Sequence, residues 1–167
     1  MTLILQKTSF RLAEQVLNSK LSIKEECESI LTHDSIDINN LTNPVFNSIL
    51  EKNFISYGWE PQPKVFPDDG PDAKMDFKKE RVGMEVQFGH SSFIGIDLLK
   101  LQISSYSELD QIDVGIYVTV TLNFIKKMKE LDNKWTGSLN YEKVVNYIPH
   151  FKSAIQVPIL VYGIDVR

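Results

Sequence analysis

The chain holds one cysteine, Cys27, so no disulfide can brace it from within. That residue falls in a helical pattern beside Ile30 and Leu31, where a small buried side chain fits better than a nucleophile. No uninterrupted apolar run approaches the roughly 18 residues of a membrane span. Met1-Thr2-Leu3-Ile4-Leu5 meets Gln6 and Lys7 too soon for a secretory signal, so a soluble, cytoplasmic protein is expected. Internal repeats and low-complexity tracts are missing too, which excludes a solenoid or a long disordered linker. Positive charge is in short supply: 18 Lys and Arg against 22 Asp and Glu give a net charge of -4. That balance argues against a nonspecific nucleic-acid coat protein, although a local basic cluster can still meet phosphate.

What remains is ordinary globular material. A hydrophobic fraction of 43% with 24% charged residues is unlike a disordered chain, and 167 residues suffice for a single domain spanning 1–167.

The stretch Ala73 to Phe88, AKMDFKKERVGMEVQF, concentrates the chemistry. It alternates as two strands and a tight turn. Met75, Phe77, Val82, Met84, Val86 and Phe88 are expected on one face, with Lys74, Asp76, Arg81, Gly83, Glu85 and Gln87 on the other. With Lys78, Lys79 and Glu80 as the polar connection, a hairpin brings Asp76 level with the Gly83 to Glu85 region. One face is then core and the other carries two carboxylates with an amide close by. Such a pair suits Mg2+, which takes oxygen ligands, one or two of them carboxylate, and fills its shell with water and substrate phosphate. The expected substrate is a phosphodiester. A solvated hairpin with mixed charges on its outer face is the competing account.

The order Asp76, Glu85 nine positions on, and Gln87 two further resembles the signature of the PD-(D/E)XK nucleases, with Gln87 where most members carry Lys or Glu. Met75-Asp76-Phe77 followed by Met84-Glu85-Val86-Gln87-Phe88 is similar to the BglII/BstYI-like type II restriction endonucleases within that superfamily, and more distantly to the BamHI group. Asn43-Pro44-Val45, Trp59, Pro63-Lys64-Val65-Phe66, Ser138-Leu139 ahead of Tyr141-Glu142, and Val157-Pro158-Ile159 leading to Gly163-Ile164 occur there in similar order. The resemblance implies an α/β fold, a mixed central β-sheet flanked by helices. It implies a homodimer that hydrolyses double-stranded DNA at a short palindrome, one centred on GATC by analogy. Asp76, Glu85 and the Val86 carbonyl would hold Mg2+, with Gln87 orienting the attacking water. An acid or amide upstream approaches the metal in those enzymes; Glu60 or Gln62 fills that place, and Glu60 joins Asp76, Glu85 and Gln87 in the expected catalytic set. The literal Pro71-Asp72 reads as a turn dipeptide.

Expected DNA contacts are His90 and Ser91 in the loop after Phe88, Lys126 and Lys127 in a lysine cluster, and Thr136, Ser138 and Asn140, whose region reaches the major groove in the similar enzymes. A repair or recombination nuclease on the same core, or a non-catalytic DNA-binding or interaction domain, stays open at this point.

Around the hairpin, Leu3 to Leu5 reads as a short strand and Phe10 to Leu17 as a helix. Ser22 with Glu25 forms an expected capping box for a helix to about Leu31, and Asn43-Pro44 opens another to about Phe54. Four prolines, Pro61, Pro63, Pro67 and Pro71, make the stretch beyond Gly58 extended and stiff. Ile96 to Leu109 reads as a helix whose broad apolar side serves the core or a second copy. Asp113 to Val120 reads as a central strand, followed by a poorly periodic stretch to Leu139, a helix from Tyr141 to Phe151 and a last strand from Val157 to Ile164.

Overall fold

The computed structural model describes residues 1–106 and 108–167. Six strands form one mixed sheet: β1 (Leu3–Phe10), β2 (Glu60–Pro61), β3 (Phe77–Lys79), β4 (Val82–Val86), β5 (Val114–Val120) and β6 (Ile159–Val166). Their order across the sheet is β1-β6-β5-β4-β3-β2. The central pairs β4–β5 and β5–β6 run parallel; the outer pairs are antiparallel. Parallel neighbours need crossover connections, and helices supply them: α4 (Ile94–Ser104) between β4 and β5, α5 (Leu122–Glu130) and α6 (Tyr141–Tyr147) between β5 and β6. All seven residues of β5 are buried, in keeping with its run of β-branched and aromatic side chains interrupted by Gly115.

Three helices precede the hairpin: α1 (Ala13–Asn18), α2 (Leu21–Leu31) and α3 (Asn43–Ser56). In α3 the Thr42 hydroxyl accepts from the Val45 N–H and Pro44 pre-sets the first turn. Its buried residues Phe46, Leu50 and Phe54 recur every four positions, one stripe of a helix. Gly58, at φ 83°, stops the helix and turns the chain toward β2.

Both sheet faces are covered. One packs Val82, Met84, Ile116, Val118 and Leu160 against α2, α3 and α5, with Phe46, Phe54, Phe88, Phe124 and Trp135 filling the layer. The other packs Tyr117, Ile159 and Val161 against Ile94, Leu98 and Leu101 of α4 and Val144 of α6. Among the described residues no helix is long and apolar enough to cross a membrane.

Several expectations shift. β1 extends to Phe10 because its full length pairs with β6, a long-range partner that a local apolar triplet does not announce. The Ser22 capping box does not form; α2 starts at Leu21 behind Lys20 without a side-chain cap. The stretch read as unstructured contains α5, capped by the Thr121 hydroxyl at 3.0 Å from the Phe124 N–H. Pro149 ends the last helix early, converting Ile148–Phe151 into a 3-10 turn. The hairpin turns at Glu80 and Arg81, both left-handed at φ 45° and 65°, as a two-residue hairpin turn demands. Arg81 is tied down there by Asp113 at 2.9 Å and Asp110 at 2.5 Å. Met75 departs from the expected face: it joins the α4 layer while Phe77 joins the other.

Candidate active site

Phe77 pairs with Met84 across the hairpin, so one step further Asp76 comes opposite Glu85. Backbone geometry then orients the pair. The Gln87 N–H bonds the Val118 carbonyl at 2.9 Å, which turns the alternate residue, Val86, to the opposite edge of β4. There the Val86 N–H donates to Asp76 Oδ2 at 2.7 Å, and the Val86 carbonyl shares that edge. Beside it lies a cleft of about 240 Å³ lined by Asn47 and Glu51 of α3 together with Gln62, Asp76 and Val86. At ~30 Å³ per water this admits a hydrated ion and a phosphate group.

The acidic face is not open to solvent. Glu85 is 2% exposed because β4 is an interior strand and α4 covers it. The Lys100 ammonium of that helix lies 2.9 Å from both Glu85 carboxylate oxygens, yet only Oε2 receives a hydrogen bond. Glu85 Oε1 is buried without one. Lys100 also contacts Asp97 Oδ1 at 3.3 Å and donates to the Lys74 carbonyl at 3.1 Å. Asp97, equally buried, accepts from Gln87 Nε2 and from the Tyr117 hydroxyl on Oδ2, each at 3.1 Å. Gln87 Oε1 in turn accepts from the Gly89 N–H at 3.0 Å.

Two carboxyl groups thus contact one ammonium, and Asp76 is near enough to feel its charge. Burial, and then the Asp76 charge, push Glu85 up to about 9. Burial also raises Asp76, against the pull of the Val86 N–H and Lys100. Burial works to depress Lys100, but Glu85, then Asp97 and Asp76, outweigh it and hold the ammonium above its ordinary value. Burial and the Asp97 charge keep Tyr117 a phenol.

A divalent cation fits this donor set. Two carboxylates stand opposite each other across the hairpin, and one of them, Asp76, lines a cleft with room for waters, which is how hard cations with few protein ligands are held. Among the described residues no group of three or more His, Cys, Asp or Glu side chains forms a fuller metal cage.

The upstream residue differs from expectation. Glu60 pairs with Lys78 in the ladder and its carboxylate takes the Lys78 ammonium at 3.3 Å, outside the cleft. A left-handed bend at Gln62, φ 51°, turns the next side chain inward instead, and its amide reaches Asp76 Oδ1 at 3.4 Å. Asp72 of the literal dipeptide is exposed, 3.9 Å from Lys74.

Of the expected DNA contacts, His90 and Ser91 stand at the head of a 3-10 turn, and Ser91 meets Ser138 through its N–H and its hydroxyl, both at 3.1 Å. Thr136 is exposed, its backbone bound by the Asn43 side chain, which also donates to the Phe88 carbonyl at 2.9 Å. Asn140 is corrected: it is 4% exposed, and its side chain caps α6 by accepting from the Lys143 N–H at 3.0 Å. Buried in that cap, it is not presented to a base edge. Lys126 is exposed and Lys127 pairs with Glu130 at 3.0 Å. No hydrogen bond or ion pair among the described residues joins either lysine to the acids.

Asp97 and Lys100 are absent from the expected set. One signal exists for Asp97: it shares the helical stripe Ile94, Leu98 and Leu101, so a charge sits at a core position.

Comparisons with known proteins bear on the family and the fold. The family model described as restriction endonuclease BglII/BglIII matches residues 5–164. Among solved structures, the crystal structure of the restriction endonuclease BglII complexed with a DNA 16-mer is similar, with a TM-score of 0.73 at 19% identity over 98% of this chain and 77% of that one. No curated protein sequence matches the chain.

Proposed function

The chain belongs to the restriction endonuclease BglII/BglIII family and is a type II site-specific deoxyribonuclease; from that premise we propose that Asp76 and Glu85 hold a Mg2+ ion with the Val86 carbonyl and that the protein cuts double-stranded DNA at a short palindrome as a homodimer. The observation that carries the reading is the pair of carboxylates facing each other across the hairpin, with Asp76 in the wall of the cleft.

When bound, the cation lowers the pKa of water, neutralises the scissile phosphate and steadies charge on the departing oxygen. The chain's own groups do the rest. Asp76 is fixed by the Val86 N–H on Oδ2, and its Oδ1 is met at 3.4 Å by the Gln62 amide in the wall of the cleft. Gln87 keeps one N–H and one lone pair beyond its bonds to Asp97 and Gly89 and can orient a water, but a neutral amide cannot act as its base. The proton therefore leaves to solvent or to substrate phosphate. Gln62 takes the upstream position, in place of Glu60. His90, Ser91, Thr136 and Ser138, gathered on adjoining loops, supply the surface toward DNA, with Lys126 and Lys127 as phosphate contacts.

The homodimer rests on α4. Phe93, Ile96, Leu99 and Tyr106 are 47%, 52%, 42% and 64% exposed, an apolar stripe along α4 and its flanks on the side away from Leu98 and Leu101. A two-fold assembly reads a two-fold sequence, and a GATC-centred palindrome is the analogue of choice.

Plasmid digestion tests this. With Mg2+ the protein should give discrete bands, EDTA should stop cleavage, and Asp76→Ala or Glu85→Ala should lower the rate by at least ~10²-fold while circular dichroism stays folded. A smear would remove the sequence-specific claim, and full activity in either variant would remove the site.

A further inference from the structure

Lys100 has no part in the signature that defines the acidic pair, yet its ammonium occupies the most negative point of the site. It lies 2.9 Å from both Glu85 oxygens, on the buried side of α4, and is braced by the Lys74 carbonyl. The neighbouring cations are engaged elsewhere, Lys74 near Asp72 and Lys78 on Glu60. Gln87, at the position where the resemblance leads one to expect Lys or Glu, is neutral and pinned at both ends of its amide. The positive charge of the site therefore comes from the helix.

A second anion flanks the ammonium. Asp97 lies one turn earlier, Oδ1 at 3.3 Å, while Gln87 and Tyr117 hold Oδ2. An ammonium leaving Glu85 would thus still have a charged partner, avoiding the penalty of an unpaired buried ion.

Resting on the reading of Asp76 and Glu85 as metal ligands, we infer that Lys100 is the resident cation of that pair, displaced toward Asp97 when a divalent ion enters, so that this positioning residue sets the metal affinity of the DNA-free protein. A divalent ion on Glu85 repels the ammonium beside it, so ion entry and the Lys100–Glu85 contact oppose one another.

The test is a Mn2+ titration followed by electron paramagnetic resonance, without DNA, on the full chain. Lys100→Met should bind Mn2+ about tenfold more tightly than the native protein, because the competing charge is gone. Asp97→Asn should bind it about tenfold more weakly, because the ammonium then has only Glu85. Opposite signs from two residues on one helix are not what general loosening of the site produces, and Asp97→Asn decides the matter if Lys100→Met does not fold. Native affinity in Lys100→Met, or tighter binding in Asp97→Asn, overturns the inference. Undiminished Mn2+ binding in Asp76→Asn, or no binding by any of the proteins, overturns instead the metal reading beneath it.

Discussion

The two faces of the sheet are equally dry and differently built. On the α3 side, Phe46 stacks on Phe88 at 5.0 Å and meets Phe124 and Trp135 at 6.2 and 6.3 Å, a layer of hydrocarbon and rings. On the α4 side, the same strands carry Glu85 and Tyr117 into a network with Asp97, Gln87 and Lys100. Shape complementarity holds the first layer; in the second, burial is tolerated only while each charge keeps its partner. Both sides have an apolar core, and the buried charges of the candidate site are added to the one under α4.

The sharpest way to break this division is Phe46→Ala, expected to cost about 3–5 kcal/mol and lower Tm by about 10 °C in calorimetry. Metal affinity should persist in the folded fraction; its loss would mean that the faces are not independent.

A smaller effect separates the faces by pH. Burial and the Asp76 charge raise Glu85 above its ordinary value, so over the window where it titrates the native state binds more protons than the unfolded one. Stability in EDTA should accordingly fall as pH rises through that window, with a slope approaching ~1.4 kcal/mol per pH unit for this group. Urea melts of the native protein and Glu85→Gln would measure it, and the same slope in both would assign the effect elsewhere. Smallest is the outer surface: Lys127→Ala breaks only the exposed pair with Glu130 and should move stability by less than ~0.5 kcal/mol.

The hydrocarbon face was the more legible in sequence. Alternation exposes β4, β-branched density exposes β5, and Asn43-Pro44 marks the start of α3. The acids of the other face stand out in the same alternation, but their surroundings do not. Asp97 and Lys100 come from a helix distant in sequence, and their role depends on which side of α4 meets β4. Glu60 and Gln62 differ only through a left-handed bend that composition does not announce. Asn140 looks like any polar loop residue until the start of α6 claims its side chain. α5 was hidden because Phe124, Ile125 and Met128 make too short a stripe to register beside three lysines.

The tight turn at Glu80 and Arg81 acts as a ruler. Strand side chains switch sides with every residue, so one amino acid inserted there would slide β3 by a single notch along β4. Met75 or Phe77 would then stand where Asp76 belongs, and a thioether or a ring would face Glu85. The pair of aspartates that clamps Arg81, at the far end of the hairpin, thereby helps keep two oxygens in step.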